Sequence, residues 1–348
     1  MSKIILGIIG GGQLGSMLAI AANKLEIRTV IFCDDINAPA QNFSNDFVHG
    51  QYNNQNKIKE FADKVDIITY EFENIPYETL NEINKLKPVL PKPSVNRLIQ
   101  HRLAEKDFIN NLNIRTTRYV SINNRSEIES ARDLLPGILK TTTLGYDGKG
   151  QIPINSIEDL SEINIDFSNN YILEKKVKLK KEISIIITRF NNKKCEIYEP
   201  IENLHEEQIL KSSTIPADIS DKVLKESMEW ASTLAEELKY IGTLCVEFFI
   251  DRNDNLYVNE IAPRVHNSGH LTINSHNISQ FENHVRAVCN LKQISLQKIS
   301  NAKMINLIGT QIDNYRKKKL EPNEFFYDYL KKDIKHKRKM GHVTILKK

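Results

Sequence analysis

The stretch KIILGIIGGGQLGSMLAIAANKLEIRTVIFC constrains this chain more than any other part of its 348 residues. Ile4 to Ile9 is an apolar run of strand length, Gly10 to Gly15 is a glycine turn, Ser16 to Leu25 has helical periodicity, and Thr29 to Cys33 is strand-like again. That order makes a βαβ unit and commits the N-terminal part to a parallel sheet with helices on its faces, an α/β start. Gly10-Gly11-Gly12-Gln13-Leu14-Gly15 also satisfies G-x-G-x-x-G, and Asp34 follows the second strand where a ribose-binding acid would sit. A nicotinamide-dependent dehydrogenase is therefore a genuine rival reading. The fingerprint alone does not decide, because any turn that brings a helix N-terminus near an anion can use the same glycines.

A chain of this length predicts two or three domains. A strand over Val65 to Tyr70 leads into EFENIP, and the Pro-rich KPVLPKPS at 87–94 closes a first domain, 1–94. The second, 95–292, opens with a short helix around Arg102 and Lys106. It also contains an amphipathic helix, Asp221 to Tyr240, whose residues Leu224, Met228, Ala231, Leu234, Ala235 and Leu238 form a core stripe. From 293 to 348 the chain turns to short strands and Lys-rich segments, which predicts a small β-rich third domain.

Hydrophobic residues at 40% and charged residues at 26% suit a soluble globular protein, and no apolar run reaches the length of a membrane span. The N-terminal run is broken by glycines and lacks a small-residue cleavage site, so it reads as a buried strand and not a signal peptide. Cys33, Cys195, Cys245 and Cys289 lie too far apart for a disulfide framework or a zinc knuckle, which fits a reducing cytoplasm. A net charge of +4 gives no reason to expect a nucleic-acid partner.

Three stretches carry chemistry. GYDGKGQ, Gly145 to Gln151, contains the hairpin pair Asp147-Gly148, so a plain turn is one reading; three glycines interleaved with Tyr146, Asp147 and Lys149 support another, a lid that closes over phosphates. In CVEFFIDRNDNLYVNE, a loop over Arg252 to Asn255 pairs Ile250 with Tyr257 and, counting outward, sets Glu247 opposite Glu260. Facing carboxylates repel unless a cation sits between them, and oxygen donors suit magnesium carrying nucleotide phosphates. In APRVHNSGH, zinc bound by His266 and His270 would need a helix, which Pro263 and Gly269 disfavour; Arg264 as a fork for a small anion, flanked by His266 and Asn267, fits better. By pattern Glu174 and Glu182 are ordinary acids, and the basic run Leu330 to His342 is a solvated charge cluster, a nucleic-acid segment or a phosphate pocket.

Taken in order, IIGGGQLGSMLA, TYEFENIP, GYDGKGQ, NLHEEQIL, NEIAPRVHNSGH, SQFENHVRAV and KRKMGH resemble the ATP-grasp carboxylases over nearly the whole chain, and specifically the carboxyaminoimidazole ribonucleotide synthase family. The resemblance implies an ATP-grasp fold of mixed α/β class, with a Rossmann-like first domain that binds no dinucleotide. It implies ATP and Mg2+ as cofactors, aminoimidazole ribonucleotide and bicarbonate as substrates, carboxyphosphate as intermediate, and a homodimer without nucleic-acid or membrane partners.

Carried over residue by residue, Arg102 and Lys140 would contact ATP phosphates and Glu174, Lys175, Lys176 and Val177 the adenine edge. Glu182 would take the ribose and His205 the nucleotide, while Gly145, Tyr146, Asp147, Gly148, Lys149, Gly150 and Gln151 would close over ATP beside Asn259 and Glu260. Glu247 and Glu260 match the magnesium ligands; Gln13, Leu14, Glu73 and Tyr146 match the ribonucleotide side, and Lys332 and Arg338 the cations for its 5′-phosphate. Arg264, His266 and Asn267 are assigned to bicarbonate and Asp147 to the substrate amine. Thr142, Leu144 and Lys337 stand where the family often has arginine, glycine and glycine.

Overall fold

In a computed structural model the described residues are 4–143 and 150–347. Leu144, Gly145, Tyr146, Asp147, Gly148 and Lys149 lie outside them, and with them most of the lid reading.

The βαβ start forms as the pattern predicts. Strand β1, Ile5–Ile9, leads through the glycine turn into α1, Gln13–Lys24, and back into β2, Arg28–Cys33. The helix begins three residues before the apolar periodicity does, because periodicity records the buried face and not the first helical turn. With β3, Asp46–His49, and β4, Ile67–Tyr70, these strands make a parallel sheet in the order β3-β2-β1-β4. Helix α2, Gln55–Asp63, packs on it, its start capped by the Asn54 side chain accepting from Asn56 and Lys57 N–H.

After α3, Tyr77–Leu86, helices α4, Pro93–Ile99, and α5, Arg102–Asn111, lead into an antiparallel sheet of order β5-β8-β6-β7. Its strands are β5, Tyr119–Ile122; β6, Gly137–Thr141; β7, Gln151–Ile154; and β8, Tyr171–Lys175. The largest sheet has nine strands, running β14-β13-β9-β11-β12-β15-β17-β16 with β10 on the side of β9. These are β9, Leu179–Arg189; β10, Cys195–Ile197; β11, Ile201–Glu206; β12, Ile209–Ile215; β13, Gly242–Asp251; β14, Leu256–Ala262; β15, Asn301–Ile308; β16, Glu324–Asp328; and β17, Lys339–Lys347.

The helix Asp221–Glu237 lays Val223, Ala231, Leu234 and Ala235 on β9, β13 and β14 in one core with Val246 and Phe248, as its stripe predicts. The strands after residue 300 do not form a sheet of their own. β15 pairs with β12, Ile305 opposite Ser212, so the C-terminal segment extends the sheet that carries the central chemistry. The N-terminal core likewise takes Phe281, Val285 and Tyr329 from distant sequence. Among the described residues no helix is long and apolar enough to cross a membrane.

Candidate active site

All three sheets contribute to a cavity of about 770 Å3. The parallel sheet supplies its C-terminal edge, Gly12 to Leu14 after β1 and Glu71 to Asn74 after β4, the end at which open α/β sheets bind ligands. Yet the glycine turn is already filled. Glu71 Oε1 accepts from Gly12 N–H at 2.8 Å, and a Cβ on Gly10 or Gly12 would come within 2.7 or 3.0 Å of the Glu71 side chain. The close approach that a dinucleotide pyrophosphate exploits in a Rossmann turn is made here to a buried carboxylate of the chain itself. Burial pushes the Glu71 carboxyl above its ordinary range.

The hairpin β13–β14 sets Glu247 opposite Glu260, as expected, but by another route. Ile250 pairs with Leu256, not Tyr257, because the loop is shorter: Asp251 N–H donates to Asn255 O at 3.0 Å, and Asp254 takes φ 58°. A β-bulge between Glu247 and Phe248 on β13, which leaves Asn259 as the extra residue of β14, then restores the register. Each carboxylate has its own partner. His266 Nε2 lies 3.0 Å from Glu247 Oε1, and Arg102 Nη1 lies 3.4 Å from Glu260 Oε2. Ser268 N–H donates to His266 Nδ1, so a neutral ring carries its proton on Nε2, toward Glu247. Burial opposes ionisation of Glu247, but His266, His205 and Arg264 outweigh it and hold the carboxyl below its usual range.

The pair suits a hard divalent cation, since both donors are carboxylate oxygens on the cavity wall. Cys245, Glu247 and His266 also bring ligand atoms within 4.8 Å of one another. The Cys245 thiol, however, is fully buried, and burial raises its pKa well above the ordinary value, which disfavours the thiolate a soft metal needs.

Lys140 and Glu174 form a buried centre beside this wall. Glu174 is only 3% exposed; its Oε1 lies 3.1 Å from Lys140 Nζ, its Oε2 3.3 Å from Lys106 Nζ, and Thr117 Oγ1 donates to it at 2.9 Å. Burial works against this carboxylate, yet the two lysines bring its pKa down to about 2, while burial lowers that of Lys140. The Glu174 side chain is thus held as a counter-ion between two lysines. Lys175 and Val177 are half-buried and Lys176 is exposed.

Lys106 went unnoticed as a site residue, although its place one turn after Arg102 on a predicted helix was the signal for it. Its Nζ also reaches the carbonyl of the bulged Asn259 at 3.4 Å. Glu105, on the same helix, accepts from Ile261 N–H at 2.6 Å, and burial together with Glu260 raises its pKa to about 8.

Glu182 and His205 line the cavity as a pair, with Oε2 and Nδ1 2.6 Å apart; burial lowers the imidazole pKa, but Glu182 more than restores it. Gln151 opens β7 opposite Lys140 and also faces the cavity. Gly150 sits at φ 72°, and a Cβ there would come within 2.6 Å of Thr141 Oγ1. A β-branched residue at this point would thus strain the strand edge, whatever a lid does.

Arg264 donates through Nε to the Glu73 carboxylate and through Nη1 to Val265 O at 3.1 Å. Burial opposes the Glu73 charge, but Arg264 overcomes it and holds the carboxyl below its ordinary range, so Glu73 anchors the guanidinium at the cavity wall. Asn267 also lines the cavity, but its amide makes a reciprocal pair with Asn306, which no motif had marked.

At the far end the structure separates two adjacent lysines of the basic run. Lys332 is exposed and outside the cavity, whereas its neighbour Lys331 lines it and donates to Gln13 Oε1 at 2.7 Å. Arg338 lines the same end and donates to Asp333 O at 3.0 Å. Lys337 keeps a left-handed φ of 65° where the resemblance has glycine, and its Nζ pairs with Glu207 at 2.7 Å. Thr142 is a strand-edge clasp: it donates through N and Oγ1 to Asn170 O, and its carbonyl accepts from Arg102 N–H.

Comparison with known proteins agrees along the whole chain. The ribonucleotide synthetase preATP-grasp domain matches residues 1–100, the ATP-grasp domain 107–281, and the phosphoribosylaminoimidazole carboxylase C-terminal domain 302–348. The N5-carboxyaminoimidazole ribonucleotide synthase of Staphylococcus aureus (strain COL) is 37% identical over 346 residues, 98% of this chain and 92% of that one. The crystal structure of the N5-carboxyaminoimidazole synthetase from Staphylococcus aureus complexed with ADP matches with a TM-score of 0.92 at 35% identity, covering 99% of this chain and 93% of that one. The Aspergillus clavatus N5-carboxyaminoimidazole synthase, in complex with ADP and 5-aminoimidazole ribonucleotide, matches with a TM-score of 0.90 at 28% identity, covering 99% and 94%. A filled glycine turn, facing carboxylates and a C-terminal cation pair thus occur in a chain that belongs to the N5-carboxyaminoimidazole ribonucleotide synthase family of ATP-grasp ligases.

Proposed function

We propose that this chain uses ATP to carboxylate 5-aminoimidazole ribonucleotide in purine biosynthesis, with bicarbonate as the carbon source. The observation that carries the reading is that one cavity joins the Glu247/Glu260 wall, beside the buried Lys140, to a second cationic end at Lys331 and Arg338. The first end is assigned to the nucleotide triphosphate and the second to the ribonucleotide monophosphate, with bicarbonate at Arg264 and His266.

A bicarbonate oxygen attacks the γ-phosphorus of ATP, ADP leaves, and carboxyphosphate forms. Its C–O bond to phosphate then breaks to give carbon dioxide and phosphate. The exocyclic amine of the ribonucleotide attacks the carbon and loses a proton, leaving the carbamate.

Glu247 and Glu260 would hold a magnesium ion, which when bound neutralises phosphate charge. Arg102 and Lys140 bring fixed positive charge to the same end, with Lys140 held by Glu174. Glu182 and His205 face the ATP sugar, and Gln151 and the bulged Asn259 border the nucleotide. Arg264, oriented by Glu73, and His266 hold bicarbonate. Gln13 and Leu14 border the ribonucleotide, with Lys331 in the role first given to Lys332 and Arg338 on its 5′-phosphate. Asp147 orients the amine or accepts its proton, and GYDGKGQ closes over carboxyphosphate to exclude water. A homodimer in a reducing cytoplasm completes the proposal.

The test measures ADP and carboxylated product with bicarbonate and ribonucleotide added singly and together. Stoichiometric release of both products only when both substrates are present is the expected result. ATP turnover indifferent to the ribonucleotide overturns the reading, and micromolar NADH binding would revive the dehydrogenase.

A further inference from the structure

Asn306 lies in the middle of β15 and is wholly buried. Its Nδ2 donates to Leu210 O at 2.8 Å and to Asn267 Oδ1 at 2.6 Å, and its Oδ1 accepts from Asn267 Nδ2 at 3.2 Å. A backbone carbonyl only accepts, so the Leu210 contact determines which end of the Asn306 amide is nitrogen. That assignment passes through the reciprocal pair and sets the Asn267 amide as well. With its oxygen and one N–H committed inward at 7% exposure, the Asn267 side chain faces the sheet first and the cavity second.

We propose that Asn306 is a positioning residue for the segment Arg264 to Ser268, acting through Asn267. Asn267 immediately follows His266 and lies three residues after Arg264, so holding its side chain fixes the backbone from which both project. Besides the Glu73 and Glu247 contacts of Arg264 and His266, further ties hold the same segment. Gln280 accepts from His266 N–H at 2.9 Å and donates to His266 O at 2.6 Å, and Ser268 Oγ meets Ser184 Oγ at 2.8 Å. Both reach it from the N-terminal side of residue 300, whereas Asn306 ties it from the C-terminal segment, where the Tyr329 hydroxyl also meets Asn267. The role deepens the proposed function and rests on reading Arg264 and His266 as the bicarbonate site. It reassigns Asn267 from bicarbonate ligand to link.

The experiment is a double-mutant cycle on the full chain, reading the KM for bicarbonate, the KM for ATP, the ADP-to-product ratio and the melting temperature. Asn306→Ala and Asn267→Ala are each expected to raise the bicarbonate KM on the order of tenfold and to raise the ADP-to-product ratio, with the ATP KM unchanged. The double variant is expected to be no worse than either single one, because both break the same link. Multiplying effects overturn the proposal, since Asn267 would then act on bicarbonate independently of Asn306. A lowered melting temperature with an unchanged bicarbonate KM also overturns it, leaving Asn306 a core residue only. Where Asn306→Ala does not fold, Asn306→Ser, which keeps a donor toward Leu210 O, is measured instead with the same expectation. Arg264→Ala separates the two layers: a normal bicarbonate KM there removes the bicarbonate site itself and this role with it, whereas a raised one beside a normal Asn306→Ala value removes this role alone.

Discussion

The glycine turn after β1 and the hairpin β13–β14 both advertise phosphate chemistry, and only the second leaves its polar groups facing an open cavity. At the turn, Gly12 N–H donates to Glu71, so the anion that a helix N-terminus attracts is a side chain of the protein. At the hairpin, Glu247 and Glu260 line an open cavity, Glu247 paired with the His266 ring and Glu260 with the Arg102 guanidinium. A spacing motif reports backbone shape; whether a ligand can use that shape depends on which side chain packs into it.

The sharpest test of this contrast is at the hairpin. Glu260→Ala is expected to lower ATP turnover by about a hundredfold or more, since charge neutralisation on the phosphates is lost, while the fold persists because a like-charge cross-strand pair is relieved. Turnover assays at saturating magnesium alongside thermal melts check it; undiminished turnover removes the metal role of the pair.

Two buried carboxylates, Glu71 in the turn and Glu174 on β8, tied to the hairpin through Lys106, should also respond to pH with opposite sign. Glu174 has a native pKa of about 2 against an ordinary 4.5, so its contribution is present above the ordinary value and is lost as pH falls toward the native one. That contribution is about 3 kcal/mol. Glu174→Gln should flatten this acid limb in denaturant titrations from pH 7 to 2 and leave two buried lysines without their counter-ion.

Lys331→Ala is expected to raise the ribonucleotide KM roughly tenfold or more, from the ~1.5–3 kcal/mol of a charge-assisted phosphate bond. Lys332→Ala should leave it unchanged. Steady-state kinetics on the two variants compare directly, and an effect at Lys332 alone would return the phosphate site to the residue expected from sequence.

The smallest effect belongs to Glu71→Gln, which keeps an acceptor for Gly12 N–H and should shift stability by about 1 kcal/mol or less. The raised native pKa of Glu71 makes its contribution greatest below the ordinary carboxylate value and lets it decline as pH rises from there through the raised native one, the reverse of Glu174. The glutamine variant should lose that slope and still not bind NADH. Binding would show that charge alone, and not the packing of the side chain, closes the turn.

Local pattern carried much of the molecule. The βαβ start, the stripe of the helix Asp221–Glu237 and the facing of Glu247 and Glu260 were all legible, since each depends on residues within a few turns or one hairpin. Even there the count succeeded by compensation: a shorter loop and a bulge at Asn259 cancelled, and neither has a strong sequence signal. Glu174 read as an ordinary acid because its partners, Lys106 and Lys140, are remote in sequence. Lys331 and Lys332 were indistinguishable as letters; the turn of the chain after Tyr329 faces one inward and one to solvent.

Hydrophobic periodicity and turn chemistry are local properties, so the order of elements and the residue types available for phosphate and carboxylate chemistry can be read along the chain. Which of those groups face a cavity and which are consumed by partners is a matter of long-range packing. Pairing across the fold put Glu71 into the glycine turn, Glu174 between two lysines and Asn267 against Asn306, and a buried polar group must find its partner wherever the packed chain provides one.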